Sequence, residues 1–267
     1  MKKLIMLSLS VWLVACSQPS ANQNESTDEA LFNYWPSQGQ AQIVYQVITQ
    51  TDDAYQVQFP EITNLEPTHP VAQAINQSSA DVIATFKQEA DLFFNDTDQG
   101  LSSTSIPWDY SLEWLGGRYH PELWSLAVQV YSYQGGAHGN HFTQTYNYHP
   151  SRNEILSLND FFTSEEYVPT LDENIRAQLI TAKTERWASS GQEDDYDASL
   201  DTFLLDTDFN SKTLYSWVVA ERNQAAGILF FFAPYDVGAY AEGSFEAFVP
   251  ISTLSQWLKP EFQNVFE

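Results

Sequence analysis

The side chains of this 267-residue chain with chemistry to offer are five histidines, one cysteine and 35 carboxylates. His138 and His141 sit in the stretch Tyr131-Ser-Tyr-Gln-Gly-Gly-Ala-His-Gly-Asn-His-Phe142, with His149 further on. Zinc needs three or four converging ligands, and neither H-E-x-x-H nor a third ligand at a recognisable spacing is present. His138 is read instead as bonding loop carbonyls that hold the turn at Gly135 and Gly136, and no metal is expected. Asp206-Thr-Asp208-Phe-Asn210 imitates the start of a calcium loop. It places Ser211 where the sharp turn needs glycine and Trp217 where a bidentate glutamate belongs, so the match fails. There is no G-x-S-x-G, no S-x-x-K and no phosphate-cradling loop with a lysine. Nothing marks out two carboxylates as a glycosidase pair, and no cofactor is expected.

Two other positions carry more. Ala233-Pro-Tyr-Asp-Val-Gly-Ala-Tyr-Ala-Glu-Gly243 joins two apolar strands and holds two tyrosines, a proline and two acids. Tyrosines on a rigid turn supply contact area at low entropy cost, so Pro234, Tyr235, Asp236, Tyr240 and Glu242 are the candidate ligand-binding residues. The other position is Cys16. Lys2 and Lys3 precede an apolar run from Leu4 to Ala15 that ends in Leu13-Val-Ala-Cys16. A basic start and a short apolar run read as a secretory leader, and the last four residues resemble a bacterial lipobox with Cys16 lipidated.

These residues need elements to position them. Trp124, Leu126, Val128 and Val130 alternate with polar or small residues, as do Phe142, Gln144, Tyr146 and Tyr148, so two strands flank the glycine stretch as a hairpin. Ile43–Ile48, Tyr55–Phe59 and Pro107–Leu115 read as strands. Val71, Ile75, Ser78, Val82, Phe86, Ala90 and Phe93 recur at helical spacing, with Thr68 as N-cap and Pro70 in the first turn. A second helix follows a capping box at Thr170–Glu173, with Leu171, Ile175, Leu179 and Ala182 on its inner face. Ser189 to Asp201 reads as a solvated acidic loop. Leu214–Ala220, Gly227–Phe232 and Phe245–Val249 are strands, the middle one apolar enough to be covered on both faces, and Ile251–Leu258 is a last short helix. Elements clustered rather than alternating define an α+β fold: antiparallel-rich sheets with two main helices in two closely associated subdomains.

The expected organisation is a signal peptide over 1–15, a lipidated cysteine and polar tether over 16–40, and subdomains over 41–150 and 151–267. A lone cysteine forms no internal disulfide, so the core must suffice. The net charge of −24 becomes more negative still once the leader takes Lys2 and Lys3 away. Nucleic acid and anionic lipid are excluded as natural partners, and the membrane is reached only through the lipid anchor. Ser17 after the cysteine points to the periplasmic face of the outer membrane in a Gram-negative host.

Tyr133-Gln-Gly-Gly-Ala-His138, Leu158-Asn-Asp-Phe161, Phe231–Gly243 and Val249-Pro250 together resemble domains of unknown function 4163 and 3298 in tandem. That pair forms the extracytoplasmic part of RsiV-type anti-sigma factors and the non-catalytic region of PdaC-type peptidoglycan deacetylases. The resemblance implies a lysozyme-type basic protein as ligand, or peptidoglycan itself. It places deacetylase chemistry in a separate metal-dependent domain. The last motif lies close to Glu267, so neither that domain nor a sigma-binding segment is expected. The expected function is a non-enzymatic, ligand-binding envelope lipoprotein. The alternative is a cell-wall hydrolase or deacetylase-related enzyme working through carboxylates.

Overall fold

A computed structural model describes residues 43–95, 106–191, 196–207, 216–222 and 225–266. The leader, Cys16, the tether, residues 192–195 of the acidic loop and the calcium-like Asp208 and Asn210 lie outside them. Two sheets form the frame. The first is a curled six-stranded sheet of β1 (Tyr45–Thr51), β2 (Tyr55–Ile62), β3 (Trp108–His120), β4 (Leu123–Tyr133), β5 (Asn140–His149) and β6 (Glu154–Ile155), in sequence order. Only β2 and β3 run parallel, because a helical crossover joins them; every other neighbouring pair in the sheet is antiparallel. The second sheet is β7 (Ser216–Arg222), β8 (Ala225–Phe232) and β9 (Phe245–Pro250), all antiparallel.

The crossover is α1 (Pro70–Ala72), a π turn at Gln73–Gln77 and α2 (Ser78–Asn95). Its N-cap is His69 rather than Thr68: Nδ1 accepts from Val71 N at 3.2 Å. Burial lowers the His69 pKa, which favours the neutral ring that this acceptor role requires. After the wide π turn the apolar stripe passes through Ile83, 4% exposed, in place of the expected Val82, 48% exposed, and rejoins the expected positions at Phe86 and Ala90. Ile75, Ile83, Phe86 and Ala90 then pack on Val57, Tyr110, Leu112, Val128 and Tyr146 of the sheet.

The second core lies between α3 (Val168–Ser189) and the second sheet. Leu171, Ile175 and Leu179 are buried as their spacing predicts, against Val219, Ile228, Phe230 and Phe232. The helix begins before the expected capping box, because a 3₁₀ turn at Glu165–Tyr167, capped by Ser164, runs straight into it and Pro169 suits its first turn. β8 is covered on both sides: Leu229 and Phe231 belong to a separate cluster with Ala127, Val218, Ala220 and Phe248. The predicted helix over Ile251–Leu258 is only a 3₁₀ turn at Ile251–Thr253. Its following backbone bonds elsewhere: Trp257 O accepts from Thr163 N, and Lys259 N donates to Phe161 O, both at 2.8 Å.

The two sheets meet through polar groups. The outer edge of β7 would leave backbone groups unpaired, and side chains of the first sheet satisfy them. Trp217 N donates to Thr145 Oγ1 at 3.0 Å, Val219 N to Ser125 Oγ at 3.1 Å, and Asn147 Nδ2 to Trp217 O at 2.8 Å. Ser125 and Asn147 are themselves bonded at 2.6 Å. This join fixes the hairpin loop after β4 beside the long loop after β8.

Candidate functional site

The loop after β4 turns through Gly135 and Gly136 at φ +92° and +95°, left-handed backbone that side chains with a Cβ resist. An added methyl would meet nothing within 4 Å at either position, so glycine is needed there for conformation, not space. Tyr133 Oη donates to Gly136 O at 3.2 Å, and His138 Nδ1 lies 3.2 Å from Gly139 O. The His138 contact is with a loop carbonyl, that of the next residue in the chain. His141 is engaged elsewhere, with Nε2 3.0 Å from Ser244 Oγ. Among the described residues no three His, Cys, Asp or Glu side chains are grouped to hold a metal.

The loop after β8 leans on this hairpin. The Tyr240 ring stacks on His138 at 3.5 Å, and its hydroxyl donates to Gly139 O at 2.8 Å. Two carboxylates cap the loop internally: Asp236 Oδ2 accepts from Ala233 N at 2.7 Å, and Glu242 Oε1 from Ala239 N at 2.8 Å. Helix α3 bolts it from behind. Lys183 Nζ reaches Glu242 Oε2 at 2.8 Å and Asp201 Oδ2 at 2.7 Å, while Arg186 donates to Glu242 O and Ser244 O.

Lys183 was invisible as a functional position in the sequence. It is 2% exposed and occupies the inner face one turn after Leu179, beside the expected Ala182. A lone lysine at the end of an apolar stripe is the only signal that would have found it, together with the acids it needs. Asp201 is likewise no solvated loop residue. Burial pushes its carboxyl up, but hydrogen bonds from Lys183, Tyr196 and Leu204 N outweigh burial and hold it below its ordinary range.

Of the five candidate residues, the structure therefore buries Pro234, commits the Glu242 carboxylate to Lys183 and Ala239, and half-buries Tyr240 against His138. Tyr235 is different. It is 53% exposed at φ +79°, with its N–H donating to Gly238 O at 3.1 Å and its ring 5.7 Å from that of Tyr240. Asp236 is exposed as a residue, yet its carboxyl is turned inward. Burial holds that carboxyl above its ordinary range, against the opposing pull of the Ala233 hydrogen bond.

Asp236 also lines a groove of about 1010 Å³ between α2, the ends of β4 and β5, and the start of the loop. Asp81 and Glu89 stand on its helical wall, with Val82 and Phe142 exposed between them at 48% and 45%. The site is thus an acidic groove with an apolar floor, overlooked by a rigid aromatic turn. Such an arrangement suits a cationic, partly apolar surface rather than a small anion.

The fold defines a two-sheet α+β scaffold that carries a braced loop at the join of its sheets. Residues 48–141 match the family model described as Deacetylase PdaC, and residues 159–252 the one described as Protein of unknown function (DUF3298). These matches carry the PdaC-type and domain-3298 parts of the resemblance drawn from the sequence. The fold is similar to the crystal structure of a DUF3298 family member from Bacteroides fragilis NCTC 9343. The TM-score is 0.51 at 16% identity, over 83% of this chain and 95% of that one. A DUF3298 family protein from Pseudomonas aeruginosa PAO1 gives a TM-score of 0.49 at 16% identity, over 82% and 94% of the two chains. At such identity the likeness speaks to the fold alone. No curated protein sequence matches the chain. Among the described residues no helix is long and apolar enough to cross a membrane.

Proposed function

We propose that this chain is a non-enzymatic envelope lipoprotein that captures a basic polypeptide, of the lysozyme type, at the Tyr235 turn and the acidic groove beside it. Tyr235 is the observation that carries the reading. A tyrosine in left-handed backbone is strained, and strain of this kind persists only where surrounding structure enforces it, most often at binding sites. Here Asp236, Glu242, Lys183, Arg186 and Tyr240 enforce it, and the ring they hold points no closer to the core than half exposure. Such a ring serves as a preorganised anchor, and Asp81, Glu89 and Asp236 supply acceptors for arginine or lysine. The net charge of −24 steers a basic ligand towards the groove. Lipidation at Cys16 would hold the protein at the periplasmic face of the outer membrane, and the PdaC-type match fits an envelope setting.

Binding kinetics on immobilised lysozyme, with cytochrome c as an equally basic control, test this reading. Rising salt should slow association and leave dissociation largely unchanged, and Asp81→Asn with Glu89→Gln should act mainly on association. Equal capture of cytochrome c would reduce the site to nonspecific charge. Retention on peptidoglycan sacculi, but not on lysozyme, would move the ligand to the wall. An enzymatic reading has its own starting point in the Lys183–Asp201–Glu242 cluster beside a cavity of about 890 Å³. Release of acetate or reducing ends from peptidoglycan, abolished by Asp201→Asn, would favour it.

A further inference from the structure

A bare edge strand offers its unpaired N–H and C=O groups to any other chain, so proteins shorten, charge, kink or cover such edges. This fold does so at three strands. β6 is two residues long and begins with Glu154. β7 is closed by Ser125, Thr145 and Asn147. β9 is closed by Gln178, whose Oε1 accepts from Phe248 N and whose Nε2 donates to Phe248 O, both at 2.9 Å. β1 has none of these devices. Its seven residues, Tyr-Gln-Val-Ile-Thr-Gln-Thr, include no charge and no proline, and its register with β2 is unbroken. Among the described residues, β2 is its only strand partner.

The register fixes which backbone groups are left over. At one end Thr63 N donates to Val44 O at 2.9 Å, and at the other Asp52 N donates to Tyr55 O at 2.8 Å. Bonded pairs alternate along an antiparallel ladder, so Gln46, Ile48 and Gln50 bond to β2, while Tyr45, Val47, Thr49 and Thr51 turn their N–H and C=O outward. The residues opposite agree. Pro60, facing Val47, has no N–H to give, and Ile62, facing Tyr45, spends its N and O on the Asn76 amide at 3.0 and 3.2 Å. The side chains along this row are open too, with Tyr45 38% and Val47 54% exposed.

We infer that β1 is a docking edge for an extended segment of a basic polypeptide, which adds antiparallel to the six-stranded sheet as a further strand. Charge selects this occupant over a second copy of the chain, because two molecules at −24 each repel. The strand itself is neutral, but acids surround it. Asp52 and Asp53 lie in the turn that follows it, and Glu61 stands opposite Gln46 and accepts from its amide. Lys87, which reaches the strand, is engaged with Gln50 and the Tyr55 ring. The two faces set the pattern of the guest. On one, its side chains meet Tyr45 and Val47, with the Trp114 ring 5.6 Å from that of Tyr45; on the other, they meet Gln46 and Glu61. A strand alternating β-branched residues with lysine or arginine satisfies both. The inference is independent of capture at the Tyr235 turn, because no residue of β1 lines the acidic groove.

The probe is a dye-labelled peptide about as long as β1 that alternates lysine with valine, titrated into the full chain by fluorescence anisotropy and followed by amide exchange in NMR. Saturable binding is expected, and exchange should slow most at Tyr45, Val47, Thr49 and Thr51. N-methylation of the valine amides, which in antiparallel pairing lie opposite these residues, keeps the charge and should weaken binding about tenfold or more; N-methylation of the lysine amides should not. Val47→Pro removes an outward N–H and no bond to β2, so it should melt as the parent does and bind the peptide about tenfold more weakly. No saturable binding at millimolar peptide would overturn the inference, as would binding indifferent to both valine methylation and Val47→Pro. Loss of peptide binding in Asp81→Asn with Glu89→Gln, but not in Val47→Pro, would put the peptide in the groove and overturn it. So would a parent that sediments as a dimer beside a monomeric Val47→Pro, which would give the edge to a second copy.

Discussion

Four residues hold backbone at positive φ in the two facing loops, and all but one of them are glycine. Gly135 and Gly136 adopt it freely, and the space around them is open. Alanine at either should therefore cost about 1 kcal/mol through strain alone. Urea unfolding of Gly135→Ala and Gly136→Ala checks this; two variants as stable as the parent would show that the turn relaxes without penalty. Tyr235 is the exception, a residue with a Cβ held at φ +79°. Its neighbours divide the labour. Asp236 and Glu242 were read from the sequence as charges for a ligand, yet each spends one carboxylate oxygen on capping its own loop.

At the scale of elements, α3 holds the loop through a buried lysine between two acids. A buried ion cluster of this kind adds little net stability but is costly to break, because the buried lysine loses one of the two acids that balance it. The Asp201 carboxyl is held below its usual value of 3.8 in the folded protein. Its contribution is therefore complete above that value and is lost as pH falls through the lower, folded one. Asp201→Asn should be less stable than the parent at pH 7, and the gap should close in acid, below about pH 4. A gap that stays constant from pH 7 to 3 would show that the charge on Asp201 carries nothing. Much of this scale was legible in the sequence. Alternation gave the strands flanking the hairpin, β8 was apolar enough to be buried twice, and the inner face of α3 followed its spacing to Leu179. Where reading failed, longer-range bonding had won. After the π turn the α2 stripe passes through Ile83 in place of Val82, and Phe161 and Thr163 captured the backbone that was to extend a helix after Thr253. The facing of the two loops was not legible at all. It depends on Ser125, Thr145 and Asn147 closing the edge of β7, contacts between polar residues far apart in the chain.

Across the whole molecule, charge and shape serve one purpose in this account. A net charge of −24 brings cations near without selecting among them, and selection falls to what is rigid and desolvated at the join of the sheets. The central claim is that Tyr235 is strained because it is an anchor. Glycine at that position removes the strain and the anchor together, so Tyr235→Gly separates a structural tyrosine from a binding one. The measurement is paired: urea unfolding and lysozyme affinity of Tyr235→Gly against the parent. We predict a variant equal in stability or more stable by up to about 1 kcal/mol, with binding weaker by about 1–3 kcal/mol through faster dissociation. A variant that is less stable and binds lysozyme as tightly as the parent would contradict the account.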